Sequence, residues 1–194
     1  DYGNGMGAMS IRALAQRLGV ELVELYPEPD ARFPNHEANP AKEETLADVK
    51  AKVLEVHADF GIALDGDADR LQMVDAQGRL FNGDELLYLM ADDRLSRGES
   101  VPGVVGTLMT NLAIEVALKR RGVEMERAAV GDRYVLEALD RGGFSVGGEQ
   151  SGHIIYRDLA TTGDGLLAAL QLCTFVLHHR AEGRSLSDLA AAVM

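Results

Sequence analysis

The sequence predicts an α/β protein made of two tandem α/β domains with mixed, mostly parallel sheets. Three observations carry this. Apolar strand-length runs alternate with helix-length amphipathic segments along the whole chain. The 194 residues exceed the usual single-domain size. Apolar residues make up 46% of the chain, enough for a proper core. The first unit is placed at residues 1–80 and the second at residues 81–194.

Asp1-Tyr2-Gly3-Asn4-Gly5 reads as a loop that should follow a strand, so the true N-terminus is expected to lie upstream. From Ala8 to Leu18, the apolar residues Ile11, Leu14, Ala15 and Leu18 fall at helical spacing, and Gly19 stops the helix. A strand is predicted for Val20 to Tyr26. The stretch Pro27 to Pro40 holds four prolines with Asp30, Asn35 and Asn39, which no regular element tolerates, so it is a loop. Asn39 can cap the next helix and Pro40 can take its first position, with Leu46, Val49 and Val53 as the buried stripe to about His57. Phe60 to Leu64 is a short buried strand. A hairpin of Leu71–Val74 and Arg79–Phe81 then turns at Ala76-Gln77-Gly78.

The second unit repeats the rhythm without a strict sequence repeat. Helices are predicted at Asp84–Leu95, Asn111–Arg121, Asp132–Leu139 and Asp164–His179, and strands at Gly103–Gly106, Val123–Val130, Phe144–Val146 and up to about Tyr156. The apolar run Leu166–Leu177 is too short to span a bilayer and reads as a core helix. Its single cysteine, Cys173, can form no internal disulfide and reads as a buried thiol, which fits a reducing, cytoplasmic setting. His178 and His179, in the last turn of that helix, are expected to face the helix dipole and solvent.

Thirty-one acidic against 19 basic residues give a formal charge of -12, which argues against nucleic acid and anionic membrane as partners. An anionic substrate needs a locally positive site. Asp65, Asp67 and Asp69 alternate directly after a strand, with Gly66 and Ala68 keeping the turn narrow enough for the carboxylates to converge. Two carboxylates about 4 Å apart repel by roughly 4 kcal/mol at an effective dielectric of about 20, so three together call for a cation. Hard oxygen ligands select magnesium, manganese or calcium over zinc. An EF-hand would need glycine and glutamate where this chain has Arg70 and Ala76. Haloacid-dehalogenase phosphatases carry threonine where it has Asp69. A solvated acidic turn is the plainer reading, weakened by the third aspartate and by Arg70 directly after it.

The second constellation is Gly147 to His153, where Glu149, Gln150, Ser151 and His153 alternate with glycines after a strand. A carboxylate and a hydroxyl two residues apart point the same way in an extended loop, which suits vicinal sugar hydroxyls. Taken alone, the segment reads equally well as a polar hairpin loop.

Asp65 to Arg70 and Gly148-Glu149-Gln150-Ser151-Gly152-His153 together resemble the α-D-phosphohexomutase superfamily, over essentially the whole chain. The resemblance implies domains 2 and 3 of such an enzyme, with Mg2+ on Asp65, Asp67 and Asp69 and Arg70 as a catalytic residue toward the phosphosugar. Glu149 and Ser151, with His153 and Arg133, would bind the hexose phosphate. His153 could alternatively act as an acid or base, or as a hydrogen-bond prop. Phe33-Pro34-Asn35-His36 with Asn39-Pro40 resembles the phosphomannomutase/phosphoglucomutase branch. Gly106 to Asn111, Gly131 to Val135, Glu149-Gln150-Ser151 and Thr161 to Gly165 resemble the bacterial phosphoglucosamine mutase branch, and these sugar-facing segments count for more.

The phosphoserine of such enzymes belongs to the first domain and the phosphate-anchoring loop to the fourth. None of Ser10, Ser96, Ser100, Ser145, Ser151, Ser185 or Ser187 stands in a matching context. The chain is therefore expected to be a fragment that works with those two domains, in a possible homodimer, and to be inactive alone. A non-catalytic module that holds a metal or a sugar phosphate is the alternative of another class.

Overall fold

The structure, a computed structural model, describes residues 1–181 and 186–193; Ser185, one of the serines considered above, lies outside them. Helix α1 spans Ala8–Leu18 and ends at Gly19, whose left-handed conformation lets its N–H return to Ala15. Helix α2 spans Ala47–Val56 after a 3-10 turn at Glu43–Leu46. It therefore starts later than Asn39-Pro40 suggests. Asn39 does accept a bond from Ala41 N–H through its side chain, but the Thr45 hydroxyl bonds the Asn39 and Lys42 carbonyls and holds residues 39–45 in tight turns.

Strands β1 (Phe60–Leu64), β2 (Leu71–Asp75) and β3 (Leu80–Phe81) form an antiparallel ladder in the order β1-β2-β3. Asp1 adds a parallel pairing to it, since its N–H donates to Ile62 O and its carbonyl accepts from Leu64 N. The residues of this sheet alternate by face. Leu64, Leu71, Met73 and Phe81 face the main core, while Ala63 and Val74 face Leu46, Val49 and Val53 of the α2 region.

The second sheet holds β4 (Gly103–Thr107), β5 (Glu124–Ala128), β6 (Val146–Gly148) and β7 (Ile154–Tyr156) in the order β5-β4-β6-β7. Its β4–β5 and β4–β6 pairs are parallel, and β6–β7 is antiparallel. Helix α5 (Asp132–Gly142) covers one face through Val135, Ala138 and Leu139 against Val105 and Ile155. On the other face Val104, Val146 and Ile154 meet α3 (Gly83–Ser96) and α4 (Leu112–Arg120). Asn82 starts α3 with a capping box, accepting from Asp84 and Glu85 N–H while Glu85 accepts from Asn82 N–H. Asp164 caps α6 (Gly165–Ala181) through the N–H groups of Leu166 and Leu167, and α7 (Leu186–Ala190) follows. One apolar cluster runs unbroken from Tyr2, Leu71 and Phe81 into Leu86, Leu118 and Leu172, across the boundary expected between residues 80 and 81.

Three expectations need correction. Val20–Tyr26 joins no ladder. Only its end is tied, with Leu25 and Tyr26 carbonyls accepting from Tyr2 and Asn4 N–H. An apolar groove of about 390 Å³ lies beside the rest of it, lined in part by Val23, Val53, Phe60 and Cys173. Cys173 is half-buried rather than fully enclosed, and burial raises its thiol pKa. The two histidines of α6 also part ways: the His178 side chain is 41% exposed, but that of His179 is 2% exposed because α3 covers it. No helix among the described residues is long and apolar enough to cross a membrane.

Candidate functional site

The acidic loop leaves the end of β1 and turns on Ala68, a non-glycine residue at φ 64. That conformation is held from both sides, by Ala68 N–H on Asp65 O and by Gly165 N–H on Ala68 O. The long loop after Tyr26 braces the turn from outside. Asn35 donates to the Asn4 side chain, Asn4 donates to Glu28 O, and Met6 N–H donates to Gly66 O.

Carboxylate oxygens of Asp65, Asp67 and Asp69 all lie within 4.8 Å of one another. A cage of hard oxygen ligands at about 2.1 to 2.4 Å from a dication has a comparable span of about 4.2 to 4.8 Å. Two of the three carboxylates each keep one oxygen spare. Asp65 Oδ1 accepts from the N–H groups of Asp69 and Arg70, both at 3.1 Å, which leaves Oδ2. Asp69 Oδ2 lies 3.2 Å from His153 Nδ1, which leaves Oδ1 buried with no hydrogen-bond partner. A carboxylate only accepts, so a hydrogen bond at this contact requires the proton on Nδ1. Asp67 is exposed at the loop tip. A buried, unpartnered oxygen beside two further carboxylates fits a hard dication. Burial raises the Asp65 carboxyl to a pKa of about 6 against the pull of the Arg70 N–H, with its aspartate neighbours adding to the rise.

Arg70 stands over the same spare oxygens, its Nε 3.6 Å from Asp65 Oδ2 and 3.7 Å from Asp69 Oδ1. Its side chain is 43% exposed, so the guanidinium has one side on the loop and another toward solvent.

The Gly147–His153 loop is joined to the first sheet by backbone. Leu71 N–H donates to Gly152 O, Gly83 N–H to Gln150 O, and the Gln72 side-chain amide to the same Gln150 carbonyl. Contact is close enough to require glycine: a Cβ on Gly152, at φ +95, would lie 2.1 Å from Leu71 O, and one on Gly83 would lie 2.0 Å from Glu149 O. Glu149 is half-buried and accepts from Gly131 N–H through Oε1 at 2.8 Å. Ser151 is half-buried beside it, and His153 is buried against Gly163 and Asp69.

Seven of the eight residues singled out in the sequence therefore lie on two loops joined by a direct side-chain contact between Asp69 and His153. Arg133 stands apart. It is on the first turn of α5, next to the Gly131 that binds Glu149, but its guanidinium is exposed and pairs with Glu137 one turn on. Sequence reasoning missed Gln72, which looks like an ordinary strand residue yet is 2% exposed and bonded across to Gln150. It also missed the pair that shapes the Gly106–Asn111 segment. Arg127 donates to Thr107 and Thr110 carbonyls, and buried Asp84 accepts from Asn111 N–H. An isolated acid one residue into a helix and an arginine in a strand gave no signal of this.

Two family models match the chain: phosphoglucomutase/phosphomannomutase alpha/beta/alpha domain II over residues 1–78, and domain III of the same family over residues 82–194. A phosphoglucosamine mutase of Albidiferax ferrireducens is 50% identical over 194 residues, covering all of this chain and 42% of the relative. One from Polaromonas naphthalenivorans is 60% identical over 155 residues, which is 80% of this chain and 34% of the relative. The chain thus spans about two fifths or less of the curated relatives it matches. Among solved structures, a phosphoglucomutase/phosphomannomutase family protein of Burkholderia thailandensis superposes with a TM-score of 0.85 at 31% identity, over all of this chain and 41% of that one.

Proposed function

The chain belongs to the phosphoglucomutase/phosphomannomutase family, and on that premise we propose that it forms the metal-binding and sugar-binding middle of a phosphoglucosamine mutase. The reaction would interconvert glucosamine 6-phosphate and glucosamine 1-phosphate. Residues 1–80 would supply the metal loop and residues 81–194 the sugar loop. The phosphoserine and the phosphate anchor would come from other parts of a longer protein, as the greater length of the relatives allows. We further propose a cytoplasmic setting, supported by the single unpaired thiol and the sugar-phosphate chemistry.

One observation carries the reading: His153 of the second loop touches Asp69 of the first, so a ligand on one loop is within reach of the other. Asp65, Asp67 and Asp69 would hold Mg2+, which, when bound, offsets the charge of the transferring phosphoryl group. His153 stands against Asp69 Oδ2, which would leave Oδ1 as the oxygen offered to the cation. Arg70, released from Asp65 and Asp69 once their charge is neutralised, would turn its guanidinium to the phosphosugar and steady the charge that develops there. Glu149, held by Gly131 through one oxygen, would accept from sugar hydroxyls through the other, with Ser151 beside it. Arg133 would have to leave Glu137 to reach the substrate. The buried ring of His153 suits an orienting role better than a proton-transfer role.

In each half-reaction a P–O bond to serine and a P–O bond to the sugar exchange, and the attacking hydroxyl gives up its proton. The sugar passes through a bisphosphate. The test is turnover of glucosamine 6-phosphate, mannose 1-phosphate and glucose 1-phosphate by the full-length protein that carries this chain. Preference for the glucosamine phosphate supports the reading, and a clear preference for either of the others replaces it with a phosphomannomutase/phosphoglucomutase. A protein that binds magnesium and sugar phosphate without turnover would be the non-catalytic module.

A further inference from the structure

Away from the two loops, α3 and α6 meet at a second cluster of metal-ligating side chains. Asp93 of α3 is 5% exposed. Its Oδ2 accepts from Arg97 Nη2 at 3.0 Å, one turn on, which fixes the carboxylate plane. Its Oδ1 makes no hydrogen bond among the described residues, and faces His178 Nδ1 and His179 Nε2 of α6, each at 3.7 Å. All three ligand atoms lie within 4.8 Å of one another. The His179 ring is itself held by an edge contact on Phe175, with centroids 4.6 Å apart.

A separation of 3.7 Å is too long for a hydrogen bond, and it approaches the edge of a coordination tetrahedron, which is about 3.4 Å for bonds of about 2.1 Å. We propose that Asp93, His178 and His179 form a metal site that takes a borderline transition-metal dication, zinc above all, between α3 and α6. Two imidazoles and one carboxylate are a donor set for zinc, cobalt or nickel, unlike the oxygen-only acidic loop, which suits magnesium. The partly exposed His178 leaves the fourth position open to water. The site joins two helices distant in sequence, so a metal bound there stabilises their packing over the unfolded chain. Nothing in this inference depends on which sugar phosphate the protein turns over.

The purified full-length protein that carries this chain, stripped with a chelator and kept in excess magnesium to fill the acidic loop, is titrated with zinc chloride by calorimetry and by thermal shift. Cobalt chloride serves as the optical probe. One zinc per chain at micromolar or tighter affinity, a raised Tm, and a cobalt spectrum of tetrahedral intensity are expected. His178→Ala should weaken zinc binding at least about tenfold and abolish the cobalt bands while magnesium-dependent turnover stays unchanged. Asp93→Asn gives the same loss at a ligand buried in α3, and its circular dichroism shows whether the fold is kept. Undiminished zinc binding in a folded His178→Ala protein, or saturation only at millimolar zinc, overturns the proposal.

Discussion

His153 Nδ1 and Asp69 Oδ2 stand 3.2 Å apart although 84 positions separate them in the chain. The contact fixes which oxygen of Asp69 stays free. His153→Ala removes that constraint, and magnesium affinity should fall about 10- to 100-fold, the usual effect of losing a partner behind a metal ligand. Calorimetric titration with magnesium checks this, and His153→Asn, which keeps a donor, should recover part of the loss.

In the full-length protein, Asp67→Ala should abolish most magnesium-dependent turnover and leave the fold intact, because Asp67 is exposed and takes no part in the core. Without metal the variant should be at least as stable as the parent, since one repelling carboxylate is gone. Circular dichroism, metal titration and turnover are measured together. Unchanged turnover at limiting magnesium would refute the ligand assignment.

Glu149→Gln keeps the shape of the side chain and its bond from Gly131, but removes the charge from the oxygen left for substrate. The loss of a charge-assisted hydrogen bond is about 1 to 1.5 kcal/mol, or roughly tenfold in kcat/KM. Magnesium affinity should not move. Equal kcat/KM for every hexose phosphate tested would remove Glu149 from the sugar site.

The pKa of about 6 at Asp65 sets a pH dependence for the metal-free protein. The folded state holds this proton more tightly than the unfolded chain, whose aspartates titrate near 3.8. This group therefore favours folding most below the unfolded pKa, and its contribution is lost as pH rises from 3.8 toward about 6. Magnesium needs the ionised carboxylate, so its affinity should weaken as pH falls below about 6, with proton release on binding. Titration at pH 5.5 in buffers of different ionisation enthalpy reads that release directly.

Gly152→Ala places a methyl carbon 2.1 Å from Leu71 O at a residue with φ +95. Steric overlap and a disfavoured backbone together should cost roughly 3 kcal/mol or more. The denaturant midpoint should fall, and magnesium affinity with it, because the loop carrying His153 can no longer close on the first sheet. An unchanged midpoint would mean that the two units are not held at this contact.

Much of the fold was legible because its elements carry their own punctuation. Gly19 stops α1 as its place after the apolar stripe suggests, and the helices expected at Asp84–Leu95, Asp132–Leu139 and Asp164–His179 fall within a few residues of α3, α5 and α6. Val20–Tyr26 misled because its composition fits a strand, while strand identity depends on a neighbour, and the groove beside it holds none among the described residues. The acidic loop was legible as a cluster of like charges. Its pairing with His153 was not, since a contact made by chain folding leaves no mark on local spacing. His179 was misread for the same reason: its helix position says nothing of α3 lying over it.

The tight seam between Leu71–Gln72 and Gln150–Gly152 also bears on inheritance. Backbone atoms on both sides meet with no room for a side chain, so neither half can drift in main-chain shape without the other. Recombination between relatives is free to replace both loops together, or surface helices such as α4, but a single crossover placed between residues 72 and 150 brings two separately adapted backbones face to face at the seam. Swapping residues 1–78 and 82–194 between relatives thus amounts to matching a lock to a key rather than exchanging beads on a string.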